Sequence, residues 1–187
     1  MAGHSKWKQI KERKAKTDAA KARVFSKYAK LIANEARATK GNRDAPALRA
    51  AIERARKENM PSENIERAIK RAAEKGAALE RVTYEAYGPG GVALIIEALT
   101  ASRNKTSQEI KHVLSENGGN LAGPGAAAWA FEKLDTNTRM GANDANGERW
   151  RAMTTVPLED ADLEKLDKLV DALEANEEVH EVVTNAE

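Results

Sequence analysis

Basic side chains crowd the start of the chain, and the chemistry that suits them is contact with phosphate. The first sixteen residues, MAGHSKWKQIKERKAK, contain six Lys or Arg, one acidic residue and one large aromatic residue, Trp7. Because a base has a π face, a tryptophan flanked by cations can stack on it. The alternative is that Trp7 folds back over a small helical bundle, and the sequence leaves both interpretations open. We define the basic arm as Lys6, Lys8, Lys11, Arg13 and Lys14.

A second set of cations lies on the first long predicted helix. On a helical wheel these side chains fall within about 80° of one another, opposite an apolar stripe centred near Tyr28. Solvated helix faces usually interleave Glu with Lys, whereas this stretch has only Asp18 near its start and Glu35 near its end. Unbalanced cations repel one another, so we expect a phosphate backbone to neutralise them, although a solvated face is the plainer interpretation. We define the basic row as Lys16, Arg23, Lys27, Lys30 and Arg37.

The formal net charge of +2 conceals a division between the two parts of the chain. Residues 1–81 contain 22 Lys or Arg and 10 Asp or Glu, whereas residues 82–187 contain 9 and 19. Such asymmetry favours a nucleic-acid partner, DNA or RNA, for the basic part. We expect the acidic part to face away from phosphate, or to restrict how the basic face approaches it.

Catalytic or metal-binding constellations are not evident. There is no cysteine, and the three histidines have no ligand-like spacing. The glycine-rich stretch 87–91 lies between two predicted strands, so it lacks the helix N-terminus that holds phosphate in nucleotide-binding loops. Arg103 and Lys105 precede a predicted helix and suit a phosphate contact, although Asn104 or Thr106 could simply cap that helix. We therefore predict no enzyme activity, no cofactor, no metal and no small-molecule substrate.

Membrane insertion is not expected either. No apolar run approaches the roughly 18–20 residues that a membrane span needs. The absence of cysteine fits a reducing compartment, so the sequence predicts a cytoplasmic protein.

Helical periodicity dominates the first 80 residues. Thr17 or Asp18 suits the cap of a first helix that ends near Thr39, and Asp44 suits the cap of a second. Pro61 then suits the start of a third helix, where a missing N–H has no consequence. Three helices with narrow apolar stripes predict a three-helix bundle over residues 1–80.

From residue 81 the pattern alternates between strands and helices. Strands are predicted at 83–87, 92–99, 126–133, 150–158 and 179–184, with helices over 105–116 and from 159 or 160. Residues 135–149 are polar and predict a loop. From Val92 onward the order is strand, helix, strand, strand, helix, strand, which predicts a ferredoxin-like split βαβ domain over residues 81–187. The expected fold class is α+β.

Several motifs carry a family resemblance. They are MAGHSKW at the start, Asn59-Met60-Pro61, the stretch from Tyr84 to Val92, Arg103-Asn104-Lys105-Thr106, Gly118-Gly119-Asn120-Leu121, and Ala128-Trp129 with Phe131-Glu132-Lys133. Together they resemble the YebC/PmpR family, which is related to the mitochondrial translational activator of cytochrome c oxidase. The resemblance implies a three-helix bundle followed by α+β domains in the bacterial cytoplasm. It also implies that His4 and Ser5, with Lys6 and Trp7, belong to the functional surface.

The resemblance also indicates what kind of regulator to expect. Family members are commonly described as transcriptional regulators that bind DNA, while others resemble ribosome-associated factors that assist synthesis of proline-rich stretches. We therefore expect a non-enzymatic, nucleic-acid-binding regulator of gene expression, a DNA-binding transcriptional regulatory protein. The alternative is a translation factor that binds ribosomal RNA on the ribosome. An alternative of a different class is a protein–protein adaptor that uses the α+β domain.

One large departure separates this chain from the family pattern. The family typically carries a further α/β domain between the strand at 131–133 and the strand at 154–156, where this chain has about twenty residues. The resemblance thus implies a compact, two-domain form in which the loop 135–149 replaces the inserted domain.

Overall fold

The computed structural model describes residues 6–15, 17–72, 78–134 and 150–187. Within these ranges the chain divides into a helical unit, which contains residues 17–72 and 78–79, and an α+β unit, which contains residues 6–15, 80–133 and 150–187. The described helices are α1 (Lys6–Lys14), α2 (Asp18–Ala38), α3 (Pro46–Lys57), α4 (Ser62–Arg71), α5 (Arg103–Glu116) and α6 (Asp160–Glu174). The described strands are β1 (Glu80–Tyr87), β2 (Ala93–Thr100), β3 (Asn120–Ala122), β4 (Phe131–Lys133), β5 (Trp150–Ala152) and β6 (Val179–Thr184).

The helical unit packs α2 against both α3 and α4 through narrow apolar stripes. The buried side chains recur at the helical period, as the sequence predicts. They include Leu31 and Ile32 of α2, Leu48 and Ile52 of α3, and Ile65 of α4. The three predicted helices of this region are therefore observed.

The helix starts follow the predicted caps in one case and differ in another. The hydroxyl oxygen of Thr17 accepts a hydrogen bond from the Ala20 N–H at 3.2 Å and caps α2. Asp44 does not cap α3, contrary to the prediction, because the N-cap residue is Ala45. The Asn42 side chain accepts a hydrogen bond from the Asp44 N–H at 3.1 Å, so this turn is held by Asn42 instead.

The α+β unit is built on an antiparallel sheet with strand order β3-β1-β2-β6. Strand β2 is buried at all eight positions, because both faces of the sheet are covered. Leu94 and Ile96 pack on the face that carries α5 and α6. Ala93 and Ile95 pack on the opposite face, against a cluster that includes Phe131. This double coverage explains why β2 begins with four consecutive apolar residues, 93–96, rather than with an alternating pattern.

The α+β class is confirmed, but the strand arrangement differs from the predicted split βαβ order. Of the predicted strands 126–133 and 150–158, Phe131–Lys133 and Trp150–Ala152 are observed as strands, and they form a separate two-stranded ribbon, β4–β5, over the second sheet face. Val156 adds an isolated β-bridge to Ala186. Two other strands take places in the main sheet instead. Strand β1 pairs with β2 along its whole length, and the unpredicted β3 pairs with the other edge of β1. A three-residue strand is too short to show a period in the sequence.

The predicted turn at 88–91 is observed as a short 3-10 turn, Pro89–Gly91. Gly90 has φ of +70°, and a Cβ there would lie 2.3 Å from the Leu158 side chain. Glycine is therefore required by packing as well as by backbone conformation. The predicted loop 135–149 lies outside the described residues. Among those that are described, no helix has the length and apolar character that crossing a bilayer requires.

Candidate nucleic-acid interface

The basic row of α2 lies on one side of the helix, opposite its buried face. Arg23 is exposed, whereas Lys27, Lys30 and Arg37 are half-buried and each also has an interaction within the chain. The buried face is formed by Leu31, Ile32, Glu35 and Ala36. Lys16, the first member of the row, lies outside the described residues.

The two acidic residues of this helix are not part of the row. Asp18 lies 3.9 Å from the Lys21 ammonium, with the Asp18 side chain fully exposed at the start of the helix. Glu35 is buried on the face that carries Ile32. The four described cations therefore form a stretch of one sign, as the sequence predicts. At a rise of 1.5 Å per residue, Arg23 and Arg37 are separated by about 21 Å along the helix axis.

A groove between α2 and α4 adds two arginines that the sequence analysis did not single out. It has a volume of about 180 Å³ and is lined on the α2 side by Phe25, Ser26 and Ala29. Arg67 and Arg71 line the α4 side, four residues apart and therefore on one face. The Glu63 carboxylate accepts a hydrogen bond from Arg67 at 3.2 Å. On the helical wheel Ser26 borders the basic row, whereas Phe25 lies on the opposite side of α2, so the groove meets the row at Ser26 and adds two arginines to the charge of the helical unit.

The basic arm is a helix, α1, and it belongs to the α+β unit rather than to the bundle. Trp7 is only 6% exposed and lies in the core cluster with Leu163 and Leu166 of α6. Neither position considered from the sequence, the base stack or the cover on the bundle, is observed. Trp7 instead fills the core under the helical face of the sheet.

Acidic groups of the same unit engage two lysines of the arm, and a backbone carbonyl engages a third. Lys14 donates to Asp167 and to Asp171, both at 2.6 Å, and Lys6 pairs with Asp160. The Lys11 ammonium lies 3.5 Å from the Val182 carbonyl oxygen. Partial burial alone would lower the pKa of Lys14, but the hydrogen bonds and charges of the two aspartates outweigh it and raise that pKa above its ordinary value.

The packing of α1 follows from its spacing. Trp7, Lys11 and Lys14 are separated by four and three residues, so they share one helix face, while Lys8 and Arg13 are exposed. The spacing of Trp7, Lys11 and Lys14 can be read from the sequence, and so can the aspartates of α6. What the sequence lacked was any sign that these two segments meet, because about 150 residues separate Lys14 from Asp167.

The remaining predicted site residues are dispersed. Arg103 and Lys105 begin α5 in the α+β unit, where Arg103 pairs with Glu80 and the Lys105 ammonium lies 3.5 Å from the Glu109 carboxylate. His4 and Ser5 lie outside the described residues. Within the ranges that are described, no group of three or more His, Cys, Asp or Glu is placed to hold a metal ion.

Comparison with known families identifies the chain's relatives. A family model described as the TACO1/YebC protein N-terminal domain matches residues 5–75. A second model, the TACO1/YebC second and third domain, matches residues 79–136. A protein of Fervidobacterium nodosum named probable transcriptional regulatory protein is 38% identical over 235 aligned positions, which cover 99% of this chain and 93% of that relative. A protein of Caldanaerobacter subterraneus with the same description is 37% identical over 100% of this chain and 98% of the relative.

A solved structure supports the same relationship. The crystal structure of a conserved hypothetical protein from Aquifex aeolicus superposes with a TM-score of 0.72 at 31% identity and covers 92% of this chain and 93% of that one. The chain belongs to the TACO1/YebC family. The alignment to the Fervidobacterium protein has 235 positions against 187 residues here, so that relative contains residues that have no counterpart in this chain. Their location at the loop 135–149 stays a prediction.

Proposed function

We propose that the chain is a nucleic-acid-binding regulator of gene expression, a DNA-binding transcriptional regulator whose basic row contacts phosphates. The observation that carries the proposal is the one-sign face of α2, formed by Arg23, Lys27, Lys30 and Arg37. Transcriptional regulation is taken from the names of the relatives, which are probable transcriptional regulatory proteins. The helical unit supplies the charge for that role.

The spacing of the cations along α2 suits contact with consecutive phosphates of a nucleic-acid backbone. Four cations spread over about 21 Å of helix can meet several successive phosphates, because one strand carries a phosphate roughly every 3.4 Å of duplex axis. Arg67 and Arg71 in the neighbouring groove widen the positive surface. Such contacts position a protein on nucleic acid without reading its sequence.

Ribosomal RNA is the second candidate target, and one observation favours it. Asn34, the one amide side chain in the arc of α2 that carries the basic row, accepts a hydrogen bond from the Leu79 N–H at 3.0 Å with its side-chain oxygen, which is therefore not offered to an adenine edge. A surface without base-reading side chains favours a translation factor docked on ribosomal RNA over a regulator that reads a DNA sequence. The proposal therefore names phosphate contact for either target.

A charge reversal within the row tests the phosphate contact. The variant R23E/K27E/K30E is compared with the control K40E/R49E/R56E, which changes the net charge equally at exposed residues elsewhere in the helical unit. Binding of fluorescein-labelled duplex DNA and of ribosomal RNA is measured by anisotropy between 50 and 200 mM salt. We expect the row variant to lose affinity by about 100-fold or more and the control to lose far less.

Two outcomes contradict the proposal. Equal losses in the two variants would show that bulk charge, not the row, drives binding. A folded row variant with unchanged binding and unchanged function in the cell would favour the protein–protein adaptor. Co-sedimentation of the tagged protein with ribosomes after DNA removal then separates the two targets, since a DNA-binding regulator leaves the ribosomal fractions and a translation factor stays in them.

A further inference from the structure

One aromatic side chain of the α+β unit is exposed and yet held in place. Trp129 lies on a 3-10 turn, Ala128–Ala130, directly before β4, and is 63% exposed. Among the described residues, the other large apolar side chain with comparable exposure is Met153, at 66%. An exposed indole of this size is uncommon on a surface that serves only as solvent boundary.

Hydrogen bonds fix the orientation of the Trp129 ring. Its indole N–H lies 3.0 Å from the Ala126 carbonyl oxygen and 3.1 Å from the Tyr87 hydroxyl oxygen. The Tyr87 hydroxyl in turn donates to the same Ala126 carbonyl. The polar edge of the ring is therefore satisfied within the chain, and what the ring can offer to a partner is its flat face.

The turn that carries Trp129 is itself anchored by a carboxylate. The oxygens of Glu85 accept hydrogen bonds from the backbone N–H groups of Gly125, Ala127 and Ala128 at 2.6, 2.7 and 2.7 Å. Partial burial would raise the pKa of Glu85, but these three bonds outweigh it and hold that pKa below its usual value. Since these N–H groups are occupied by a carboxylate, this turn does not offer them to a phosphate.

A ring held this way loses little conformational freedom on binding. A free tryptophan must surrender its side-chain rotation when a partner covers it, whereas Trp129 is already oriented. The neighbouring ribbon places cations nearby, because the Met153 N–H donates to the Ala130 carbonyl at 2.8 Å and so continues β5 alongside the turn. Its exposed cations are Lys133, which lies 5.4 Å from the Trp150 ring centroid, and Arg151, which pairs with Glu132.

We infer that Trp129 is a stacking platform for one unpaired base of a single-stranded nucleic acid. The inference rests on the proposed nucleic-acid-binding function and adds a contact outside the basic row. A base has the size and the π face of a single indole and needs no hydrogen bond from it. A protein partner would need a buried area of several hundred Å² with an apolar centre, whereas the exposed Met153 is followed by the exposed polar residues Thr154 and Thr155.

The test uses the full chain and labelled oligothymidylate of about twelve nucleotides, which exceeds one stacking site. Anisotropy titrations compare the wild type, W129A, W129F and the control M153A, which removes the other exposed apolar side chain. We expect W129A to weaken binding by about 5- to 150-fold at an unchanged salt slope, and W129F and M153A to retain most of the affinity. The same oligonucleotide annealed to its complement should show no W129A effect, because its bases are already stacked.

A second measurement covers the case in which W129A does not fold. Oligothymidylate should quench the tryptophan fluorescence of the wild type through Trp129, the exposed indole, since Trp7 is buried and Trp150 is half-buried beside Lys133. W129F should abolish that quenching. Unchanged affinity of a folded W129A variant, or quenching that persists in W129F, would show that Trp129 does not stack on a base. The exposed indole would then favour a protein partner. If R23E/K27E/K30E weakens binding in that case, the proposed function survives. If the wild type binds no nucleic acid, both fail.

Discussion

Two lysine-rich helices of this protein look alike in sequence and differ in what their charges do. In α1, Lys6 and Lys14 meet aspartates of α6, and Trp7 lies in a core. In α2, Asp18 lies at the start of the helix and Glu35 lies on its buried face, so neither interrupts the basic row, which has one sign. The same residue types thus stabilise the fold in one helix and form a candidate binding surface in the other.

The difference shows that counting cations does not locate a phosphate site. A lysine within hydrogen-bond distance of two carboxylates already has the anion that it needs, and an incoming phosphate must displace them. The acidic surplus of residues 82–187 is therefore in part the partner of the basic arm.

Removing Trp7 should have the largest effect on stability, because Trp7 packs α1 into the core of the α+β unit. We expect W7A to lower the free energy of unfolding by about 3–5 kcal/mol, the usual loss for a buried tryptophan. Urea denaturation followed by circular dichroism measures this, with R23A as the control on α2. A loss below about 1 kcal/mol would mean that Trp7 does not pack in the core.

Neutralising matched pairs in the two helices compares their charges directly. R23Q/K27Q should reduce the slope of log affinity against log salt by about 2, because each lost phosphate contact removes about one released counterion. K6Q/K14Q should leave that slope nearly unchanged, since these lysines face aspartates. Salt titrations of nucleic-acid binding measure both variants, and equal changes in slope would erase the distinction between the helices.

Glu85 extends the comparison to a carboxylate whose partners are backbone N–H groups. Its lowered pKa means that its stabilisation is present above the unfolded pKa of about 4.3 and is lost as the pH falls through the lower folded value. We expect E85A to destabilise the turn at Trp129 by about 2 kcal/mol at pH 7. Acrylamide quenching of tryptophan fluorescence between pH 7 and 3 measures how accessible Trp129 is. The accessibility in the wild type should approach that in E85A only at acid pH.

The smallest effect is expected at Lys14. Its side chain is more than a third exposed, so solvent screening limits its two ion pairs to about 0.5–1 kcal/mol for K14M. Because its pKa is raised, this contribution is present below the ordinary lysine pKa and is lost as the pH rises through the folded value. Thermal unfolding of both proteins at pH 7 and in strong alkali measures the difference, which should shrink at the higher pH. A difference that grows in alkali would contradict the ion pairs.

Local sequence patterns predicted much of the fold. The apolar period and the Thr17 cap predicted α2 within a residue or two of its observed limits, and the strand predicted at 179–184 is β6. The candidate site was partly accessible in the same way, since the basic row is a property of one helix. Arg67 and Arg71 were missed because their importance depends on the groove that α4 forms with α2.

The sequence by itself determined the helices from α2 onward, the α+β class, the family and the position of the cations on α2, because all of these depend on neighbours within a few residues or on whole motifs. Tertiary structure decided the strand order, the separate β4–β5 ribbon, the burial of Trp7 and the pairing of Lys14 with Asp167 and Asp171. Those outcomes depend on segments that lie far apart in the chain, where many pairings satisfy the same apolar pattern. Only packing selects among them, and that selection paired lysines of α1 with aspartates of α6, while the basic row of α2 stayed on the side opposite its buried face.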